Sequence, residues 1–217
     1  MIHGMALTTR RQALITLTAP AWGACSRAPI RGRPVPAGAP VLAVGDSLTH
    51  GTGATPETSY PAVLAGLTGW QVTNAGVPGD TTEQAVQRLP ALLAAATPAL
   101  VLLCIGGNDL LRRIDEGTTR GHIQRMLALV QAAGAQVLLI AVPRPSLAAR
   151  FTGNLTDHPM YGELAEALRV PLHRQGWSEV LADEQLRADA IHANAQGYAA
   201  FARGLLATLR ATGLFVA

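Results

Sequence analysis

The chain has 217 residues, of which 49% are hydrophobic, 14% charged and 4% aromatic. That length and apolar content suit one domain with a sizeable core. The formal charge of +3 invites a nucleic-acid partner, but its distribution excludes one. All 17 basic residues are arginines and five of them precede Pro34, which leaves twelve against 14 acids, a balance of −2, beyond that point. The folded region therefore has no basic excess to place against phosphates.

In chain order, the first feature is a leader. Residues 1–24 read as an export signal, with Arg10 and Arg11 ahead of a short apolar stretch and small residues before Cys25. The apolar part is too short and too interrupted to span a bilayer, which takes about 20 apolar residues. Thr9-Arg10-Arg11-Gln12 is similar to a twin-arginine export motif. Trp22-Gly23-Ala24-Cys25 has the outline of a lipoprotein processing site, although Trp stands where Leu is usual. The expectation is an exported protein, periplasmic or held at the cell envelope by a lipid on Cys25. Residues 25–39, rich in Pro, Gly and Arg, read as a flexible tether.

From Pro40 to the C-terminus, strands and helices alternate. Val41–Val44 is an apolar run stopped by Gly45, which predicts a buried parallel strand. Tyr60–Leu67 predicts a helix, Trp70–Ala75 a second strand, and Thr81–Leu93 a helix bent at Pro90. Ala99–Ile105 is the strongest buried-strand signal, and Thr118–Ala133 an amphipathic helix closed by Gly134. Val137–Val142 is the fourth strand; a helix near Met160–Leu168, a short strand at Val170–His173 and a last helix at Asn194–Leu209 follow. This alternation predicts an α/β fold, a three-layer α/β/α sandwich on a parallel sheet, as a single domain over residues 40–217.

Ligands of such sheets bind just outside the carboxyl ends of the strands. Four polar clusters fall there: Gly45-Asp46-Ser47, Asn74–Thr81 with Gly79 in a glycine-rich turn, Gly106-Gly107-Asn108-Asp109, and Asp189-Ala190-Ile191-His192 before the last helix. Each has a bland reading: Ser47 and Asn108 as helix caps, Gly79 as a turn, His192 as a surface residue. Their convergence on one edge favours chemistry. A serine hydroxyl is a weak nucleophile that needs a histidine base held by a carboxylate. His192, with Asp189 three residues before it, meets that need for Ser47. Asp46 and Asp109 read instead as ties between loops. The Ser47 N–H, the Gly79 N–H and the Asn108 side-chain amide are the donors available to an oxyanion. Six scattered histidines and two cysteines form no HExxH and no CxxC pattern, so no metal and no cofactor are expected, and Cys104 reads as a buried small residue.

These blocks resemble the SGNH (GDSL) hydrolase family. Gly-Asp-Ser-Leu at residues 45–48, Gly-Asp-Thr-Thr at 79–82 and Gly-Gly-Asn-Asp at 106–109 stand intact and in order. The resemblance implies a flavodoxin-like sheet and assigns Ser47, Gly79, Asn108 and His192 to the family's named positions, with Asp189 as acid partner. The stretch 82–93 is similar to the small bacterial branch of acyl-CoA thioesterases, lysophospholipases and arylesterases. The family usually has Pro after its histidine, where Ala193 stands here. Thr49 replaces the second glycine of a G-x-S-x-G elbow, so the chain is not a classical α/β-hydrolase.

The expected substrate is a small ester or thioester with a short-to-medium acyl chain, and the expected state is a monomer. Specificity is expected in the loops after the third and fourth strands, at Leu110, Leu111, Pro143–Leu147, Phe151, Met160 and Tyr161. A carbohydrate O-acetylesterase is the alternative within the family. An exported binding lipoprotein without catalysis is the alternative outside it.

Overall fold

The computed structural model describes residues 1, 30–145 and 154–216. The leader, Cys25, and the loop positions Ser146, Leu147 and Phe151 lie outside the described residues.

Five strands form one parallel sheet: β1 (Pro40–Gly45), β2 (Gln71–Gly76), β3 (Leu100–Cys104), β4 (Gln136–Ile140) and β5 (Leu172–His173), in the order β2-β1-β3-β4-β5. The burial of each strand follows from its place. Leu42 to Val44 and the whole of β3 are buried because helices cover both faces there. The edge strand β2 exposes Gln71, Thr73 and Asn74 instead.

Eight helices lie among the described residues: α1 (Ser47–His50), α2 (Tyr60–Thr68), α3 (Thr82–Ala96), α4 (Gly107–Leu111), α5 (Glu116–Ala132), α6 (Pro159–Leu168), α7 (Gly176–Ala182) and α8 (Ala195–Ala211). Helices α2, α7 and α8 pack together, as do α3, α5 and α6, giving the two outer layers of the sandwich. Trp177 anchors the first layer. Its ring stacks on Phe201 at 3.7 Å between centroids, and its indole N–H donates to the Cys104 Sγ at 3.2 Å. Cys104 is fully buried and its thiol is pushed up in pKa by desolvation. No described helix is long and apolar enough to cross a membrane.

The structure departs from the local sequence pattern in three places. Helix α3 runs on to Ala96 with Pro90 inside it, capped by a reciprocal Thr81–Gln84 box. The short helices α1, α4 and α7 are not legible in the hydrophobic period, since four to seven residues complete too little of one. The folded part also begins before Pro40. Gly32 N–H donates to Thr212 O at 2.8 Å, Val35 N–H donates to Leu214 O at 2.9 Å, and Val35 is buried under Trp70, whose indole bonds to its carbonyl. A Pro/Gly-rich composition reads as linker, but one buried valine and two backbone bonds fix this stretch to the C-terminal segment.

Consecutive strands run outward from β1 to β2, then return to β3 on its other side. The crevice opens at such a reversal, between the carboxyl ends of β1 and β3. Ser47 follows β1 and Asn108 follows β3.

Candidate active site

Strand β1 ends at Gly45, where a Cβ would collide with the Thr49 side chain and the Cys104 carbonyl. Only glycine lets the Thr49 side chain and the Cys104 carbonyl approach the backbone this closely. Asp46, not Ser47, caps α1: its Oδ1 accepts the Leu48 N–H at 3.0 Å. Ser47 is thereby freed from the capping role and stands as the first helical residue, half-buried, with its hydroxyl toward the crevice.

The Ser47 Oγ lies 3.0 Å from His192 Nε2, and His192 Nδ1 lies 2.7 Å from Asp189 Oδ2. Ser47 and His192 are 145 positions apart in the chain, and a tight loop before α8 carries the histidine to the serine. In that loop Ala188 N–H donates to His192 O at 2.9 Å, and Asn194 caps α8 by accepting the Gly197 N–H at 3.0 Å. The Asp189 Oδ1 also accepts the N–H groups of Ile191 and His192. Partial burial raises the Asp189 carboxyl, but the His192 ring and these N–H groups outweigh it and hold the group below its ordinary range.

Asn108 lies in the first turn of α4, whose cap is Gly106 at φ +113°. Its Nδ2 donates to Asp80 O at 3.0 Å and lies 3.4 Å from Asp46 Oδ2. Gly79, at φ +83°, immediately precedes Asp80. Among the described residues, the backbone N–H groups of Ser47 and Gly79 have no hydrogen-bond acceptor. Ser47, His192 and Asp189 are thus linked through hydrogen bonds, while Asn108 is held beside them by Asp80, next to Gly79, and by Asp46, next to Ser47.

The other acids tie loops. Asp109 accepts from Thr82 N–H at 2.9 Å and from Thr82 Oγ1 at 2.5 Å, joining α4 to the start of α3. Asp46 is buried, and desolvation raises its pKa to about 6. His173, a competing histidine, is buried away from the site, with its pKa lowered to about 4 by desolvation. Among the described residues no group of three or more His, Cys, Asp or Glu side chains is placed to hold a metal ion.

A cleft of about 640 Å³ opens beside Ser47, lined among others by Asn108, Leu111, Val142, Arg144 and Ile191. Leu110, Pro143 and Pro145, singled out from sequence, line it too. Met160 and Tyr161 do not. Both are fully buried, and the Tyr161 hydroxyl donates to Ile105 O at 2.8 Å, so they belong to the core. Sequence reasoning passed over Ile191, Leu181 and His158, which also face the cleft. Ile191 was recoverable: an apolar side chain between Asp189 and His192 has no core to enter, and it is 39% exposed.

The model of the GDSL-like lipase/acylhydrolase family matches residues 43–200. The chain belongs to that family. It is a hydrolase acting on esters. The hydrolase is 36% identical to thioesterase 1/protease 1/lysophospholipase L1 of Escherichia coli strain K12 over 159 residues, 71% of this chain and 75% of that one. It is also 36% identical to an arylesterase of Vibrio mimicus over 139 residues, 61% of this chain and 68% of that one. Among solved structures, it is similar to that of TesA, with a TM-score of 0.69 and 28% identity over 78% of this chain and 97% of the other.

Proposed function

We propose that this hydrolase cleaves carboxylic esters and thioesters of short-to-medium acyl chains through a Ser47–His192–Asp189 triad. The observation that carries this reading is the continuous contact from Ser47 Oγ to His192 Nε2 at 3.0 Å and from His192 Nδ1 to Asp189 at 2.7 Å.

His192 takes the Ser47 proton as the oxygen attacks the acyl carbon, and Asp189 stabilises the imidazolium that forms. The carbonyl oxygen becomes an oxyanion met by the Ser47 N–H, the Gly79 N–H and the Asn108 amide. His192 then gives its proton to the departing alcohol or thiol. Water, deprotonated by the same imidazole, attacks the acyl-serine and releases the acid. The apolar wall of Leu110, Leu111 and Ile191 suits an acyl chain, as do the relatives named for thioesters, lysophospholipids and aryl esters.

A fluorophosphonate probe and a p-nitrophenyl ester test the reading together. Ser47→Ala is expected to lose both labelling and turnover while keeping its fold. Asn108→Ala is expected to keep labelling but to lower kcat by about 10²–10³-fold. Wild-type turnover in Ser47→Ala would overturn the mechanism.

The cellular reading rests on the sequence: residues 1–24 are removed on export and Cys25 is a candidate lipid anchor. The mass of the mature protein from its native host checks it, and an intact N-terminus in the cytoplasm refutes it.

A further inference from the structure

Arg88 lies on α3, outside the four polar clusters at the strand ends, and its guanidinium is used on all three nitrogens. Nε donates to Asp80 Oδ2 at 2.7 Å, Nη1 to Ala75 O at 2.8 Å, and Nη2 to Gly45 O at 3.0 Å. These acceptors belong to three different segments at the crevice: the end of β1, the end of β2, and the turn that carries Gly79. Two of the three acceptors, Gly45 and Asp80, adjoin oxyanion donors, and Ala75 lies at the end of the strand that leads into the Gly79 turn. Gly45 lies two residues before Ser47, Asp80 follows Gly79, and the Asp80 carbonyl holds the Asn108 amide at 3.0 Å. The Arg88 side chain is 24% exposed and that of Asp80 only 7%, so the pair is screened less than a surface ion pair.

We infer that Arg88 is a positioning residue for the oxyanion hole, setting the distances between the Ser47 N–H, the Gly79 N–H and the Asn108 amide without touching substrate. The inference rests on the oxyanion hole proposed above. The planar fork of arginine is what the role requires, because three donors leave one rigid group in fixed directions. A lysine could keep the ion pair with Asp80 but could not span the Ala75 and Gly45 carbonyls as well. Preorganised donors lose their effect when displaced, and a misplacement of about 1 Å can cost on the order of 10²-fold in rate.

The test compares Arg88→Lys and Arg88→Gln, each alone and in an Asn108→Ala background, by kcat, KM and thermal melting. Arg88→Lys is expected to melt close to wild type, to lose about 10-fold or more in kcat, and to keep KM within about two-fold, the signature of a lost transition-state interaction. In Asn108→Ala the further loss is expected to shrink to about three-fold or less, since residues acting through one another are not additive. If Arg88→Gln does not fold, the lysine variant decides alone. Wild-type kcat in Arg88→Lys, or a full additional loss on top of Asn108→Ala, overturns the role of Arg88. An Asn108→Ala protein with undiminished kcat overturns the oxyanion hole itself, and this inference with it.

Discussion

Asp189 grips His192 twice, with Oδ2 on the ring Nδ1 at 2.7 Å and Oδ1 on the backbone N–H of the same residue at 2.9 Å. The three-residue spacing closes this ring, so the carboxylate fixes both the loop and the imidazole orientation. The ring is thereby set with Nδ1 protonated and Nε2 open to the Ser47 hydroxyl.

That double contact separates two losses. Asp189→Asn keeps one acceptor oxygen for the backbone but presents either an amide or a neutral oxygen to the ring. Its kcat is expected to fall by up to about 10⁴-fold while the fold persists. His192→Ala is expected to be at least as inactive. Steady-state kinetics with circular dichroism checks both, and an equal loss in a variant of His50, His158 or His173 would count against His192 as the base.

Buried His173 predicts a loss of stability in acid. Its Nδ1 meets Thr208 Oγ1 at 2.8 Å, but Nε2 has no partner, and burial lowers its pKa from 6.5 to about 4. The unfolded chain binds the proton first, so the contribution is whole above pH 6.5 and is lost as pH falls toward 4. It amounts to about 3 kcal/mol over that window. Melting of His173→Gln from pH 4 to pH 7 is expected to give a flatter profile than wild type; parallel profiles would contradict it.

Asp46 works in the opposite sense. Desolvation raises its pKa from 3.8 to about 6, so the native state holds the proton that the unfolded chain releases. Its contribution is whole below pH 3.8 and is lost as pH rises through 6. Asp46→Asn retains an oxygen for the Leu48 N–H and carries no buried charge. Its melting temperature relative to wild type is therefore expected to climb between pH 4 and pH 7. An unchanged difference across that range would show that the carboxylate is not penalised by burial.

The cleft wall predicts the response to acyl length. Each methylene buried against Leu110, Leu111 or Ile191 is worth about 0.8 kcal/mol, or roughly four-fold in kcat/KM, until the groove is filled. A series of p-nitrophenyl esters from acetate to palmitate should rise and then level off, and Leu111→Ala should flatten the rise. Turnover confined to acetylated sugars, indifferent to acyl length, would favour a carbohydrate esterase.

Much of this was legible from residues alone. The order of apolar runs dictated a parallel sheet, because β1, β3 and β4 are too continuously hydrophobic to leave a face in water. The strand-end rule then placed Ser47, Gly79 and Asn108 at one edge, and spacing paired Asp189 with His192. These readings rely on local pattern, which the chain carries in its own order.

Long-range geometry does not share that property. No local pattern gives Arg88 a role among the twelve arginines beyond Pro34, yet its three bonds reach residues 8, 13 and 43 positions away. Composition put residues 25–39 in a tether, while Val35 is buried beneath Trp70. Met160 and Leu111 look alike as apolar loop neighbours, but one is fully buried and the other is 49% exposed on the cleft. Hydrophobicity states only that a side chain favours burial, and the packing of the layers decides which side chains achieve it.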